Sequence, residues 1–227
     1  GLSADVLKSF QWGGKYYAAG SAKSIYSDVF MYNKKMFNDA GLEDPWELYQ
    51  NGKWTWDKFM EMAVSVSDIA NEISFLEKPS LQVWLTLNCI DPILRDGDNF
   101  TENLTNADLI KVTQDYKDLF LGDTPISRTA GAGGVDFFAG KAYTCISQTD
   151  GYTQYSKKAA TSSAFGKDAN NLGCVPIPTM PYNTTGKYPG HAPQGYSVGK
   201  GSSDPSVAVC YALFESTLED SDIAVSG

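Results

Sequence analysis

Asp28-Val29-Phe30-Met31-Tyr32 runs without a break into Asn33-Lys34-Lys35-Met36-Phe37-Asn38-Asp39-Ala40, and then Gly41. The opening stretch, Asp28 to Tyr32, reads as a short strand. Asn33 to Ala40 reads as a helix, and Gly41 suits the residue after a helix end, where positive φ is wanted. A strand that feeds directly into a helix is half of an α/β unit. Upstream, Lys15 to Ala19 is a second strand candidate. Downstream, Leu42 to Pro45 closes the unit. Thr55 then reads as an N-cap, with Trp56, Phe59, Met60, Ala63, Val66 and Ile69-Ala70 at helical spacing.

The alternation continues. Ile73 to Leu76 is a strand, and Pro79 to Asn88 a helix opened by proline. Asp91 to Asp98 is an extended or turn segment. Thr105 and Asp108 form a capping-box-like pair before Leu109, Val112, Tyr116, Leu119 and Phe120. Asp136 to Ala139 is a helical turn closed by Gly140, Ala142 to Ser147 a strand, and Ser156 to Phe165 a faint helix. Leu172 to Pro176 is a strand, Pro178 to Pro193 a loop, and Tyr196 to Val198 a short strand. Asp204 and Pro205 open a last helix predicted to face Val207, Cys210, Tyr211 and Phe214 inward. Strands alternating with helices predict α/β layering.

Composition excludes several classes. With 227 residues, 42% apolar and 20% charged, the chain is globular and fits one or two domains. No apolar run is long enough to span a bilayer. A net charge of −9 is wrong for nucleic acid, whose phosphates need clustered Lys and Arg. A single histidine, His191, removes any mechanism needing two imidazoles. Five Trp and thirteen Tyr offer flat apolar faces with polar tips, suited to sugar rings and equally to ordinary cores. Cys89, Cys145, Cys174 and Cys210 lack CxxC spacing; buried free thiols are expected, with two disulfides as the alternative.

Catalytic and metal motifs fail on inspection. Gly195-Tyr196-Ser197-Val198-Gly199 matches a nucleophile elbow, but no histidine follows it to serve as base. Gly134 to Lys141 has one residue too many for a phosphate loop, and Ala142 stands where magnesium needs a hydroxyl. Asp96-Gly97-Asp98-Asn99 lacks the spacing of a calcium loop. No cofactor and no metal is expected.

Several blocks together resemble the extracellular solute-binding proteins of ABC importers, family 1, which are maltose-binding-protein-like. They are Gly14-Lys15-Tyr16-Tyr17, then Val29 to Phe37 with Ala40 to Pro45, then Trp54-Thr55-Trp56-Asp57-Lys58-Phe59. Phe137-Phe138-Ala139-Gly140-Lys141-Ala142, Gly173 to Pro178, and Gly195 to Ser202 with Asp204-Pro205 follow in the same order. The resemblance implies a periplasmic-binding-protein-like fold of type II, with two α/β lobes closing on a ligand like a hinge. It also implies that this chain is an excised fragment, mainly lobe 2. Residues 1–30 would be hinge and partial lobe 1, 31–189 lobe 2, and 190–227 the hinge return with partial lobe 1.

The implied function is the non-catalytic substrate-binding component of a bacterial importer, delivering a carbohydrate, in particular an oligosaccharide, to membrane permeases. The implied protein is an extracytoplasmic monomer, touching the membrane only through a lipid anchor absent from this chain. Alternatives are a two-carboxylate glycosidase and a cell-surface adhesion module. Ligand residues are expected at strand ends and following loops. Glu77 and Trp84 follow the Ile73 strand; a solvated turn carboxylate and a core indole are the alternatives. Gln148, Asp150 and Tyr152 follow the Ala142 strand, with Tyr152 as the aromatic platform and Asp150 as either a hydrogen-bonding group or a helix cap. Gln194 and Tyr196 lie where the chain returns, and Tyr26 near the first crossover. Trp54 and Trp56 are assigned to structure. A chain confined to the far lobe is expected to bind sugar weakly or not at all.

Overall fold

The computed structural model describes residues 4–19, 27–68, 71–122, 126–127, 133–186 and 195–218. The chain divides into two compact units, one of residues 1–26, 95–101 and 190–227, the other of residues 27–94 and 102–189.

The first unit begins with helix α1 (Ala4–Ser9) and a hairpin of β1 (Gln11–Trp12) and β2 (Lys15–Tyr16), paired Gln11 to Tyr16 and Trp12 to Lys15. Gly13 and Gly14 both take positive φ, 56° and 72°, as a two-residue hairpin turn requires. The strand predicted to reach Ala19 stops at Tyr16.

The second unit is built on β3 (Asp28–Asn33), all six of whose residues are buried. Val29 and Met31 face one apolar cluster, Phe30 and Tyr32 the other. A central strand covered on both faces carries a continuous apolar run, which is why the opening stretch of sequence is so legible. Helix α2 (Lys34–Asp39) follows, capped by the Asn33 side chain, which accepts from the Met36 amide at 3.2 Å. Gly41 takes a φ of 68° after it. Asp44 and Pro45, read above as a terminator, instead open helix α3 (Pro45–Gln50): the Asp44 carboxylate caps the Trp46 and Glu47 amides, and proline sits in the first turn. Helix α4 (Trp56–Val66) is capped by Thr55 as expected, and ends at Val66, before Ile69-Ala70.

Strand β4 (Ser74–Leu76) leads to helix α5 (Leu81–Leu87). Pro79, expected at the first helical position, lies outside α5: Ser80 is the cap, its hydroxyl oxygen accepting the Val83 amide at 3.2 Å. The extended or turn segment expected over Asp91 to Asp98 contains strand β5 (Ile93–Asp96), which pairs with an unexpected β6 (Asn99–Glu102), and the tip of this hairpin counts with the first unit. There the Trp12 indole donates to the Asp98 carbonyl at 3.2 Å and the Gly13 amide to the Asp98 carboxylate at 2.9 Å. Helix α6 (Ala107–Phe120) is capped by Asn106, one residue later than the predicted Thr105, since Asn106 Oδ1 reaches both the Asp108 and Leu109 amides. Helix α7 (Val135–Phe138) precedes β7 (Ala142–Gln148). Helix α8 (Tyr152–Ala159) starts four residues before the predicted Ser156, and strand β8 (Leu172–Pro176) ends the sheet.

The sheet order is β4-β7-β3-β8, with β4 parallel to β7 and β3 antiparallel to both neighbours. One face is covered by Leu48, Phe59, Met62, Ala63, Trp84, Val112 and Phe120 from α3 to α6, the other by Phe137, Tyr155 and Ala159 from α7 and α8. Trp54 is structural, as assigned: its indole donates to the Pro176 carbonyl at 2.8 Å.

Helix α9 (Pro205–Leu218) belongs to the first unit. The expectation that it faces Val207, Cys210, Tyr211 and Phe214 inward is corrected: all four are exposed. Apolar spacing marks a face that wants burial, but a neighbour must supply it. None of the four cysteines forms a disulfide, and only Cys145 is fully buried.

Tyr32 is 1% exposed and donates its hydroxyl to Asp44 Oδ1 at 2.7 Å. Burial, then the hydrogen bond to Asp44, push its ionisation far above the ordinary tyrosine range. Burial raises Tyr143 and Tyr155 as well. A tyrosine ionises near pH 10 when unfolded, so the native state holds protons that the unfolded state releases. For Tyr32 stability is therefore intact below about pH 10 and falls above it, by about 1.4 kcal/mol per pH unit. Urea unfolding between pH 9 and 12 should show this slope, and Tyr32→Phe should remove one group's share. An unchanged slope would contradict this origin.

Candidate functional site

Two strand tips of the second unit carry most of the expected ligand residues, and the structure separates them by role. Glu77 follows β4 directly. It is 4% exposed, and both its oxygens are engaged: Oε1 accepts the Gly134 amide at 2.8 Å and Oε2 the Phe137 amide at 3.0 Å. Gly134 holds the N-cap position of α7 with a φ of 84° and has no side chain to cap with, so Glu77 supplies the cap from a distance. Its expected roles, sugar acceptor or solvated carboxylate, are both corrected. A buried carboxylate persists because donors meet it.

Trp84 is corrected in the same direction. It is 2% exposed, edge-on to Phe120 with centroids 5.0 Å apart and to Trp56 at 5.6 Å. An indole this enclosed is core and has no face to offer a sugar placed at the strand tip.

At the end of β7 the picture differs. Gln148 lies across from Asp28 in the register and is half-buried. The chain turns through a short 3-10 segment, Thr149–Gly151, whose Thr149 amide donates to the Ser27 carbonyl at 3.1 Å. Gly151, not Asp150, stands at the N-cap position of α8. Tyr152 opens α8 and is 41% exposed. Gln148 and Tyr152 are thus brought to one tip. The side chain of Asp150, and Tyr26 and Gln194 entirely, lie outside the described residues. Tyr196 belongs to the first unit and is 49% exposed. Its backbone bridges to Ala19 and its ring stands edge-on to Tyr211 at 6.1 Å.

Tyr152 also lines an open cavity of about 350 Å³ that runs along Leu172, Gly173 and Cys174 of β8, the edge strand. Tyr32, Lys34, Asp44, Trp46 and Glu47 form the rest of its wall. Trp46 stacks on Tyr49 at 5.6 Å and both are exposed. These residues were not anticipated. Reading Asp44-Pro45 as a helix start, rather than a stop, would have placed Trp46 and Glu47 in the first turn of a surface helix. The cavity combines an aromatic platform with planar acceptors and one lysine, which suits a polyhydroxylated molecule.

The sequence matches no family model and no curated protein. Solved structures do match. A binding protein associated with an ABC transporter from Bifidobacterium animalis subsp. lactis, in complex with β-1,6-galactobiose, superposes with a TM-score of 0.65 at 19% identity. The match covers 94% of this chain and 50% of that one. The galacto-N-biose-/lacto-N-biose I-binding protein of Bifidobacterium longum, in complex with lacto-N-biose, gives 0.64 at 15% identity, covering 95% and 52%. An ABC substrate-binding protein from Listeria monocytogenes, in complex with cycloalternan, gives 0.63 at 16% identity, covering 94% and 51%. The fold is that of ABC-transporter solute-binding proteins. The expected fold class is borne out, and the chain spans about half the length of these three solute-binding proteins.

Proposed function

We propose that this chain is part of a non-catalytic solute-binding protein that presents a carbohydrate, in particular an oligosaccharide, to the permeases of an ABC importer. The fold carries the proposal: the solved proteins that share it are binding proteins of ABC transporters, several in complex with di- or oligosaccharides. On this reading Tyr152 and Gln148 contribute to the sugar site, Tyr152 by stacking and Gln148 by hydrogen bonds that a wrong epimer would leave unpaired. Tyr196, Asp150, Gln194 and Tyr26 remain candidates for the same site. Work outside the cytoplasmic membrane, as a monomer held there by a lipid anchor, is part of the proposal. No helix among the described residues is long and apolar enough to cross a membrane.

The test is a titration of the 227-residue chain with β-1,6-galactobiose, lacto-N-biose and maltotetraose, followed by amide chemical shifts and product analysis. Saturable millimolar binding of at least one sugar is expected, weakened about tenfold by Tyr152→Ala, or about 1.4 kcal/mol. Hydrolysis of the sugar would overturn the proposal in favour of a glycosidase. Retention on an insoluble polymer with no binding of soluble sugars would overturn it in favour of adhesion.

A further inference from the structure

Strand β8 lies at one edge of the sheet, so one side of its backbone faces away from β3. Hydrogen bonds at both ends of the strand fix which residues turn that way. The Leu172 amide donates to the Ala169 carbonyl, and the Pro176 carbonyl accepts the Trp54 indole at 2.8 Å. The ladder on the other side of β3 agrees. The Thr149 amide donates to the Ser27 carbonyl at 3.1 Å, so Val29 and Met31 bond to β7, and Phe30 and Tyr32 to β8. Alternation along the strand then ties Gly173 and Val175 to β3 and turns both the N–H and the C=O of Cys174 outward. Neither group meets a protein partner among the described residues.

Cys174 stands in the wall of the open 350 Å³ cavity along this edge, and every residue of that wall belongs to the second unit. An added peptide strand does not suit it. The Leu172 amide and the Pro176 carbonyl are taken and proline has no N–H, so no full ladder forms beyond Cys174. What the edge offers is one donor beside one acceptor. Two hydroxyls on adjacent carbons of a sugar ring are the complement: one oxygen accepts from the N–H, and the other hydroxyl donates to the carbonyl. Trp46 in the same wall is 43% exposed even with Tyr49 stacked on it at 5.6 Å. Lys34 is half-buried there and enters no ion pair among the described residues. An ammonium and the Glu47 carboxylate in one wall favour a neutral ligand whose hydroxyls both donate and accept.

We propose that the β8 edge is a subsite for one neutral pyranose unit, in which the main-chain N–H and C=O of Cys174 hold two adjacent free hydroxyls, with Trp46 against the ring and Lys34 and Glu47 for its other hydroxyls. The proposal rests on the sugar-binding reading and deepens it: the sugar is selected for an unsubstituted vicinal diol, read by backbone rather than by a side chain.

Residue-resolved amide hydrogen exchange of the 227-residue chain is the test, with β-1,6-galactobiose, lacto-N-biose and maltotetraose as probes. Without sugar, the Cys174 amide should exchange at least about tenfold faster than those of Gly173 and Val175, which β3 protects. The sugar that saturates the protein should slow Cys174 about tenfold, and Trp46→Ala should weaken that sugar about fivefold, with Trp46→Phe restoring most of the affinity. A Cys174 amide as slow as its neighbours in the free protein would overturn the proposal, because the edge is then covered. Saturation by a sugar that leaves Cys174 exchange unchanged would overturn it while leaving the sugar-binding reading intact. Failure of all three sugars to bind would overturn both. The exchange measurement needs only the unsubstituted protein, so it decides even if a Trp46 variant fails to fold.

Discussion

Glu77→Ala should lower the unfolding free energy by about 4 kcal/mol, a fall in Tm of about 8–16 °C for a chain of this size. The Gly134 and Phe137 amides would lose the carboxylate oxygens they reach at 2.8 and 3.0 Å inside a buried site. Each buried donor left unmet costs about 1–3 kcal/mol, and the lost side chain leaves a cavity as well. The consequence reaches β7, because α7 packs against that strand and the 133–140 turn delivers the chain into it. Glu77→Gln keeps an acceptor and the volume but turns an amide donor toward one of the two N–H groups, so about half the loss is expected. Urea unfolding of the three proteins checks the order. A loss below 1 kcal/mol for Glu77→Ala would show that the cap does not hold α7.

Gly173→Ala should cost about 3 kcal/mol although it adds a single methyl group. Gly173 pairs with Tyr32 across the sheet, and the tyrosine ring lies over the glycine. A Cβ there would meet one ring carbon at 2.6 Å and two others closer still. The ring has nowhere to go. It packs edge-on to Phe37 with centroids 5.4 Å apart, and its hydroxyl is tied to Asp44, which also caps α3. Moving the ring therefore breaks a buried hydrogen bond and disturbs a helix cap. Tyr32→Leu in the Gly173→Ala background should recover part of the loss, since a smaller side chain can yield to the methyl. Independent, additive losses for the two substitutions would refute this cross-strand coupling.

The legible parts of the fold share one property: their cause is local. Val29 to Tyr32 announces a central strand because burial on both faces leaves no alternating polar position to interrupt it. Thr55 caps α4 and Gly41 ends α2 through groups three residues away or through their own backbone. Asp44-Pro45 was ambiguous for a local reason too. The same pair that closes one element opens the next, and only the Asp44 contacts to the Trp46 and Glu47 amides decide it. Thr105 and Asn106 are adjacent cap residues of similar chemistry, and the structure chose the one whose oxygen reaches two amides.

The candidate site was less legible because its residues are sorted by distant neighbours. Glu77 and Tyr152 looked alike in sequence, each a polar or aromatic residue just beyond a strand. Glu77 is sealed by amides 57 and 60 positions along the chain, while Tyr152 stays open to solvent. Trp84 was drawn into the core by Phe120 and Trp56, from two other helices.

The sequence alone determined the alternation of strands and helices, the central strand, the Thr55 cap of α4 and the Gly41 stop of α2, because backbone propensity, side-chain capping and hydrophobic period act within a few residues. Only the tertiary structure decided which acid is a cap, which indole is core and which tyrosine is free, because burial and hydrogen-bond partners come from segments that the chain brings together only by folding.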